Sequence, residues 1–94
     1  MPVLGQKLSH GGFIGLIDHF IGGLFVAPDA QGQGIGRALV DHAQGLKGRL
    51  TLEVYAANAA ARGFYTALGF TETGRREEDD LGLPFPLIRM ALDP

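Results

Sequence analysis

In "VAPDAQGQGIGRALV", Val26 to Val40, glycines stand at positions 32, 34 and 36, between an apolar segment and a helix-like pattern. Glycines at this spacing let the backbone take positive φ and remove side chains, so consecutive amide N–H groups can converge on one point. A helix starting near Ile35 adds its own unpaired N–H groups and the positive end of its dipole. The guest that such a turn suits is a phosphate or pyrophosphate. Two familiar phosphate motifs fail here. A dinucleotide fingerprint needs glycine where Arg37 stands, and a P-loop needs Lys followed by Ser or Thr where Arg37 and Ala38 stand. A strand-to-helix connection that binds nothing would use the same flexible residues, and the glycines alone leave both readings open.

Two further residues could do chemistry. Tyr65 follows Asn58 by seven residues, about two helical turns, which puts both on one face of a second helix. Asn58 is also a good N-cap and Tyr65 also suits an apolar stripe, so each has a purely structural alternative. Glu53, five residues before Asn58, falls on the solvent face of an alternating strand. His10, His19 and His42 are scattered without ligand spacing, so no metal site is expected. The run Glu77, Glu78, Asp79 and Asp80 could attract a cationic amine, although such runs are usually just solvated.

Positioning these residues requires strands and helices in a particular order. The opening residues 1–11 have no clear period and read as a loop or a frayed strand. "FIGLIDHFIGGLFV" suits a buried antiparallel hairpin, with Gly22 and Gly23 marking a bulge or a close approach of backbone or ligand. Ile35, Leu39, His42, Ala43 and Leu46 then form the stripe of a helix of about three turns stopped by Gly48. "RLTLEVY" alternates as a strand with Leu50, Leu52 and Val54 inward. The second helix begins at Asn58, carries Phe64, Tyr65 and Leu68 as its stripe, and ends at Gly69. "FTETG" and "PLIRMAL" read as closing strands joined by a charged loop from Arg75 to Pro86. If each helix follows a parallel strand, Asn58 and the glycine turn share one rim of the sheet. The expected class is α/β, a mixed sheet with helices packed on it.

Composition narrows the classes. Ninety-four residues make a single domain, 1–94, that buries roughly two-thirds of its unfolded surface. With 46% apolar and 19% charged residues the chain is globular. A net charge of −2 gives no basic footprint, so nucleic acid is not an expected ligand. There is no cysteine, which excludes disulfides, thiolate metal sites and a cysteine-bound acyl group and points to the cytoplasm. The most apolar stretch, Phe13 to Val26, is too short for a bilayer and carries Asp18 and His19.

Gln31, Gly34 and Gly36 form a Gln/Arg-x-x-Gly-x-Gly/Ala pattern that resembles the GNAT superfamily, the acetyl-CoA-dependent N-acetyltransferases. "LEVYAANAAARGFYTALGF" resembles that family's next segment, and the likeness runs from about Gly12 to Leu92. The tail "GRREEDDLGLPFPLIRM" resembles small bacterial members with a poorly defined acceptor. The resemblance implies a mixed, mostly antiparallel sheet with two helices and acetyl-CoA as cosubstrate. On these residues, Gln31, Gly32, Gln33, Gly34, Ile35, Gly36 and Arg37 would wrap the CoA pyrophosphate. Leu24, Phe25 and Val26 would hydrogen-bond the pantetheine arm as an added strand, and one of their N–H groups would face the thioester carbonyl. Asn58 would contact the CoA arm and Tyr65 would protonate the departing thiolate. Glu53 stands where some members carry the general base.

The chain departs from the family pattern in having almost nothing in place of the first strand and first two helices, which supply much of the acceptor pocket. An uncovered sheet edge and face lead to an expected homodimer. The favoured reading is direct attack of a primary amine on acetyl-CoA in a ternary complex. The other is an acetyl-CoA or CoA sensor, or a subunit whose partner supplies the acceptor site.

Overall fold

The computed structural model describes residues 3–8, 12–26 and 34–94. The chain divides into two compact units, Met1–Leu50 with Pro94, and Thr51–Asp93.

The first unit holds β1 (Val3–Leu8), β2 (Gly12–Ile17), β3 (Phe20–Val26) and α1 (Ile35–Lys47). Both strand contacts are antiparallel: Val3 pairs with Ile17 and Leu8 with Gly12, while Gly12 pairs with Val26 and Ile17 with Phe20. The opening residues expected as a loop or frayed strand therefore contain a six-residue strand, because backbone pairing to β2 supplies the order that a weak side-chain period did not announce. Asp18 and His19 make the hairpin turn, with Asp18 at φ 53°.

The expected bulge is present, and it explains how β3 reaches the core. Ile21 and Leu24 are three residues apart and would face opposite sides of a regular strand. The register shifts between Gly15 and Leu16, so that Gly15 lies opposite Gly23 and Leu16 opposite Ile21, leaving Gly22 as the extra residue. Leu24 and Ile21 thus lie opposite Ile14 and Leu16, which share one face of β2 and are fully buried.

Helix α1 packs on that side, across β1, β2 and β3. It buries Gly36, Leu39, Val40 and Ala43 and stops at Gly48, φ 78°, whose N–H bonds the Gln44 carbonyl. The buried stripe is rotated from the expected one: His42 and Leu46 are exposed, and Gly36 and Val40 take their places inside. Packing is close at the N-terminal end. A β-carbon on Gly12 would stand 2.5 Å from Ile35 Cγ2 and 2.8 Å from Leu39 Cδ1, so the helix sits directly on a glycine.

The second unit takes in most of β4 (Leu50–Tyr55), then α2 (Ala59–Ala67), β5 (Thr71–Arg76) and β6 (Leu87–Leu92), with β6 between β4 and β5. β5 and β6 are antiparallel, with Thr71 opposite Ala91 and Arg76 opposite Leu87. β5 extends two residues beyond "FTETG", so the connecting loop covers only residues 77–86. Leu52, Phe70, Leu87, Ile88, Met90 and Ala91 are buried, whereas α2 has no fully buried residue.

Candidate functional site

In the first unit, Leu24 and Val26 are half-buried on β3 and Phe25 is 59% exposed between them. Gln31, Gly32 and Gln33 lie outside the described residues. Gly34 is the N-cap of α1 at φ 77°, ψ 11°, a left-handed conformation that glycine adopts at little cost. A β-carbon there would meet nothing within 4 Å, so conformation and not crowding selects the glycine. The Ala38 N–H bonds the Gly34 carbonyl, and Ile35, Gly36 and Arg37 form the first turn. Among the described residues no side chain caps this end and no acidic residue lies in the first turn, so its positive dipole end keeps the capacity to receive an anion.

In the second unit, Asn58 caps α2: its Oδ1 accepts from the Ala61 N–H at 3.1 Å. The structural alternative for Asn58 is therefore real, yet it uses only the carbonyl half of the amide and leaves the Nδ2 donors outside the cap. Arg62 holds the approach to this cap, donating from Nη1 to the Ala56 carbonyl (3.1 Å) and from Nη2 to Glu72 Oε2 (2.9 Å).

Tyr65 is fixed by the end of the same helix. The Gly69 N–H bonds the Thr66 carbonyl and the Phe70 N–H bonds the Tyr65 carbonyl, each at 3.0 Å, with Gly69 at φ 104°. This is a Schellman closure, in which the residue after the glycine packs on the residue that opened the last turn. The Tyr65 ring meets Phe70 edge-on at 5.3 Å and Phe64 at 5.1 Å. Burial pushes the Tyr65 phenol above its ordinary value of 10.0.

Glu53 is 18% exposed and tightly held. Arg76 Nε and Nη2 donate to its two carboxylate oxygens at 2.9 Å each, and Arg89 Nη2 lies 3.6 Å from Oε2. Arg76 also bonds Asp80 at 2.9 Å, and these contacts, with Glu53 first, hold its guanidinium above its already high ordinary value. The acidic run is largely engaged within the unit. Glu77 pairs with Arg75, Asp80 with Arg76, and Asp79 Oδ1 accepts the N–H groups of Leu81 and Leu83.

Glu53, Asn58 and Tyr65 thus share the second unit, while Leu24 to Val26 and Gly34 to Arg37 stand in the first. Arg76, Arg62 and Phe70 take on their supporting contacts only in the folded unit. Phe70 had a local signal, since it directly follows the helix-ending glycine, whereas the long-range partner of Arg76 had none. Among the described residues no group of three or more His, Cys, Asp or Glu could hold a metal, and no helix is long and apolar enough to cross a membrane.

These features have counterparts in known proteins. Residues 3–72 match the family model of the acetyltransferase (GNAT) domain. The peptidyl-lysine N-acetyltransferase YjaB of Salmonella typhimurium is 48% identical over 79 residues, covering 84% of this chain and 54% of that protein. The solution structure of apo YjaB from Escherichia coli superposes with a TM-score of 0.79 at 46% identity, over 86% of this chain and 55% of that one. The structure of yncA from Salmonella typhimurium with its cofactor acetyl-CoA gives a TM-score of 0.64 at 25% identity, over 88% and 57%. The chain spans about half the length of the YjaB proteins it matches. Strand meander, glycine-started helix and Asn58–Tyr65 helix stand in the order of that fold, and the chain belongs to the GNAT family of acetyltransferases.

Proposed function

We propose that the protein is an N-acetyltransferase, passing the acetyl group of acetyl-CoA to a primary amine by direct attack. The observation that carries this reading is Tyr65: a half-buried phenol fixed edge-on against Phe70, seven residues beyond the cap of its helix. In the proposal both units serve one acetyl-CoA domain, 1–94. Gln31 to Arg37 bind the pyrophosphate, with Gly34 starting α1 where the anion is received. Leu24, Phe25 and Val26 hold the pantetheine arm through their backbone, and Asn58 contacts it through Nδ2. Glu53 takes a proton from the acceptor's ammonium, freeing the amine nitrogen to attack the thioester carbonyl, through a lone pair that the Arg76 fork leaves over, since a carboxylate offers about four acceptor positions. Tyr65 gives its proton to the departing thiolate.

The names of the relatives, peptidyl-lysine N-acetyltransferases, favour an amine on a side chain as the acceptor. The proposal also includes a homodimer. Phe13 and Phe25 lie directly opposite each other on β2 and β3 and are both exposed, an aromatic pair suited to an isologous contact.

The test is acetyl transfer to a panel of primary amines by wild type and Tyr65→Phe. Tyr65→Phe should lower turnover by about 10²–10⁴-fold, the span of general-acid catalysis, with acetyl-CoA affinity unchanged. Gly34→Val should weaken acetyl-CoA binding in calorimetry. Equal affinity for Gly34→Val and wild type, or no transfer to any amine, would overturn the reading.

A further inference from the structure

Helix α2 carries one charged residue, Arg62, and it lies on the half-buried side of the helix. From Asn58 to Gly69 the half-buried positions are Ala61, Arg62, Tyr65 and Leu68, and all the others are exposed. Asn58, Arg62 and Tyr65 are spaced by four and then three, so the arginine stands on one helix face between the cap and the phenol.

Its guanidinium reaches two other segments. Nη1 donates at 3.1 Å to the Ala56 carbonyl, in the turn between β4 and α2, and Nη2 donates at 2.9 Å to Glu72 Oε2 on β5. The Arg62 and Glu72 side chains are 37% and 47% exposed, and an ion pair open to solvent to that degree contributes little by itself. Its effect is to hold the planar fork in one orientation, with Nη1 against the backbone. Nε is buried and has no partner among the described residues, an unsatisfied donor that a role in stability alone does not explain.

Ala56 is held from both sides, its carbonyl by Arg62 and its N–H by the Pro86 carbonyl at 2.8 Å. Two residues on, the Asn58 N–H bonds the Tyr55 carbonyl at 2.9 Å, and the Arg62 N–H bonds the Asn58 carbonyl at 3.1 Å. Arg62 thus grips the turn through its side chain and the cap through its backbone, and the Asn58 side chain projects from the segment between them.

We propose that Arg62 is a positioning residue for the CoA arm: it sets where Asn58 stands, and Glu72 sets where Arg62 stands. The inference rests on the acetyl-CoA reading and adds to it a division of roles along α2. The cap end, tied down by Arg62, serves cosubstrate binding, whereas the closing end, tied to Phe70, serves the phenol.

The test measures acetyl-CoA affinity by calorimetry and the kcat of acetyl transfer, on the full chain. Arg62→Met keeps the apolar stem and removes both side-chain hydrogen bonds. It should weaken acetyl-CoA binding by about tenfold, the scale of one hydrogen bond to a charged group, with kcat at saturating acetyl-CoA within about twofold of wild type. Arg62→Lys can reach the Ala56 carbonyl or Glu72 but has no fork to hold both, so its affinity should lie between those of Arg62→Met and wild type. Asn58→Ser keeps a helix cap and removes the Nδ2 donors. In that background Arg62→Met should bring no further loss of affinity, because its effect runs through Asn58. Glu72→Gln leaves Arg62 in place and should weaken binding by about threefold, and it decides the matter should Arg62→Met not fold. A residue that only stabilises the fold would lower Tm in these variants and leave their affinity below the transition unchanged. Wild-type affinity in Arg62→Met or, if that variant does not fold, in Glu72→Gln overturns the proposal, as do losses that add in the double variant or a fall in kcat with binding unchanged. Weakened binding in Arg62→Met with no amine acetylated by wild type leaves the positioning role standing and removes the enzymatic reading. Transfer by wild type with the same acetyl-CoA affinity in every Arg62 variant does the reverse.

Discussion

Tyr65 and Phe70 are joined twice: the Phe70 N–H bonds the Tyr65 carbonyl at 3.0 Å, and their rings meet edge-to-face at 5.3 Å. Phe70 is 2% exposed, so the proposed acid is anchored to the core by the way its own helix ends. The geometry depends on Gly69, at φ 104° with Leu92 Cδ1 3.2 Å from where a β-carbon would stand. Gly69→Ala should cost about 1–2 kcal/mol, lowering Tm by about 4–16 °C, and should reduce kcat while leaving acetyl-CoA affinity unchanged. Gly48→Ala is the control. It strains another positive-φ glycine, φ 78°, at the C-cap of α1, with nothing within 4 Å of the new carbon, and should lower Tm with no loss of kcat. Equal kcat losses in the two variants would mean that Tyr65 is not positioned by this closure.

The Tyr65 phenol sets a pH dependence. Burial raises it above 10.0, so below that pH the folded and unfolded chains both keep the proton. As pH rises past the ordinary value, the unfolded chain releases it first and unfolding gains. Wild-type Tm should therefore fall more steeply above about pH 10 than that of Tyr65→Phe. The difference in tyrosinate absorbance between the two proteins should have its midpoint above 10.0. A midpoint at or below that value would remove the argument for a protected proton donor.

Glu53 is where catalysis and structure compete for one carboxylate. If it is the base, Glu53→Gln should lower kcat by about 10²–10⁴-fold and flatten the acid side of the pH–rate profile. Arg76→Lys keeps the charge but cannot fork across both oxygens. It should lower Tm yet retain most of the turnover. Should Arg76→Lys lose as much kcat as Glu53→Gln, Glu53 is a positioning anchor, and the base lies elsewhere.

The legible parts of this molecule are those whose causes are local. Gly48 and Gly69 stop their helices because left-handed backbone is a property of single residues, and Asn58 caps α2 through a bond only three residues long. The bulge at Gly22 could be expected because two adjacent glycines interrupt an apolar strand there, and it lets Ile21 and Leu24 share a face. What the sequence hid depends on distant partners. Val3–Leu8 is a strand because β2 offers it an edge, and α1 reaches the sheet closely at Gly12, where only a glycine leaves room for Ile35 and Leu39. The fork from Arg76 spans 23 residues to Glu53, and no short-range pattern announces it. The same holds for a pocket in the second unit lined by Tyr55, Ala57, Phe85 and Pro86, whose walls meet only after the chain has passed through α2 and β5.

The aromatic pair on the first unit tests the proposed assembly. Phe13 is 43% and Phe25 59% exposed, and their Cα atoms are directly paired across β2 and β3, on the face opposite to Ile14 and Leu16. A two-fold contact would bury this pair from each copy, four rings in one patch, and aromatic residues at the centre of an interface are the kind whose loss is felt most. Light scattering behind size exclusion should give a dimer at micromolar concentration. Phe25→Lys should shift it to monomer, raising the dissociation constant by about 30-fold or more, the equivalent of about 2 kcal/mol. Both side chains are already largely in solvent, so Tm of the separated Phe25→Lys monomer should change little. A wild-type chain that elutes and scatters as a monomer at that concentration would show that this face has another purpose.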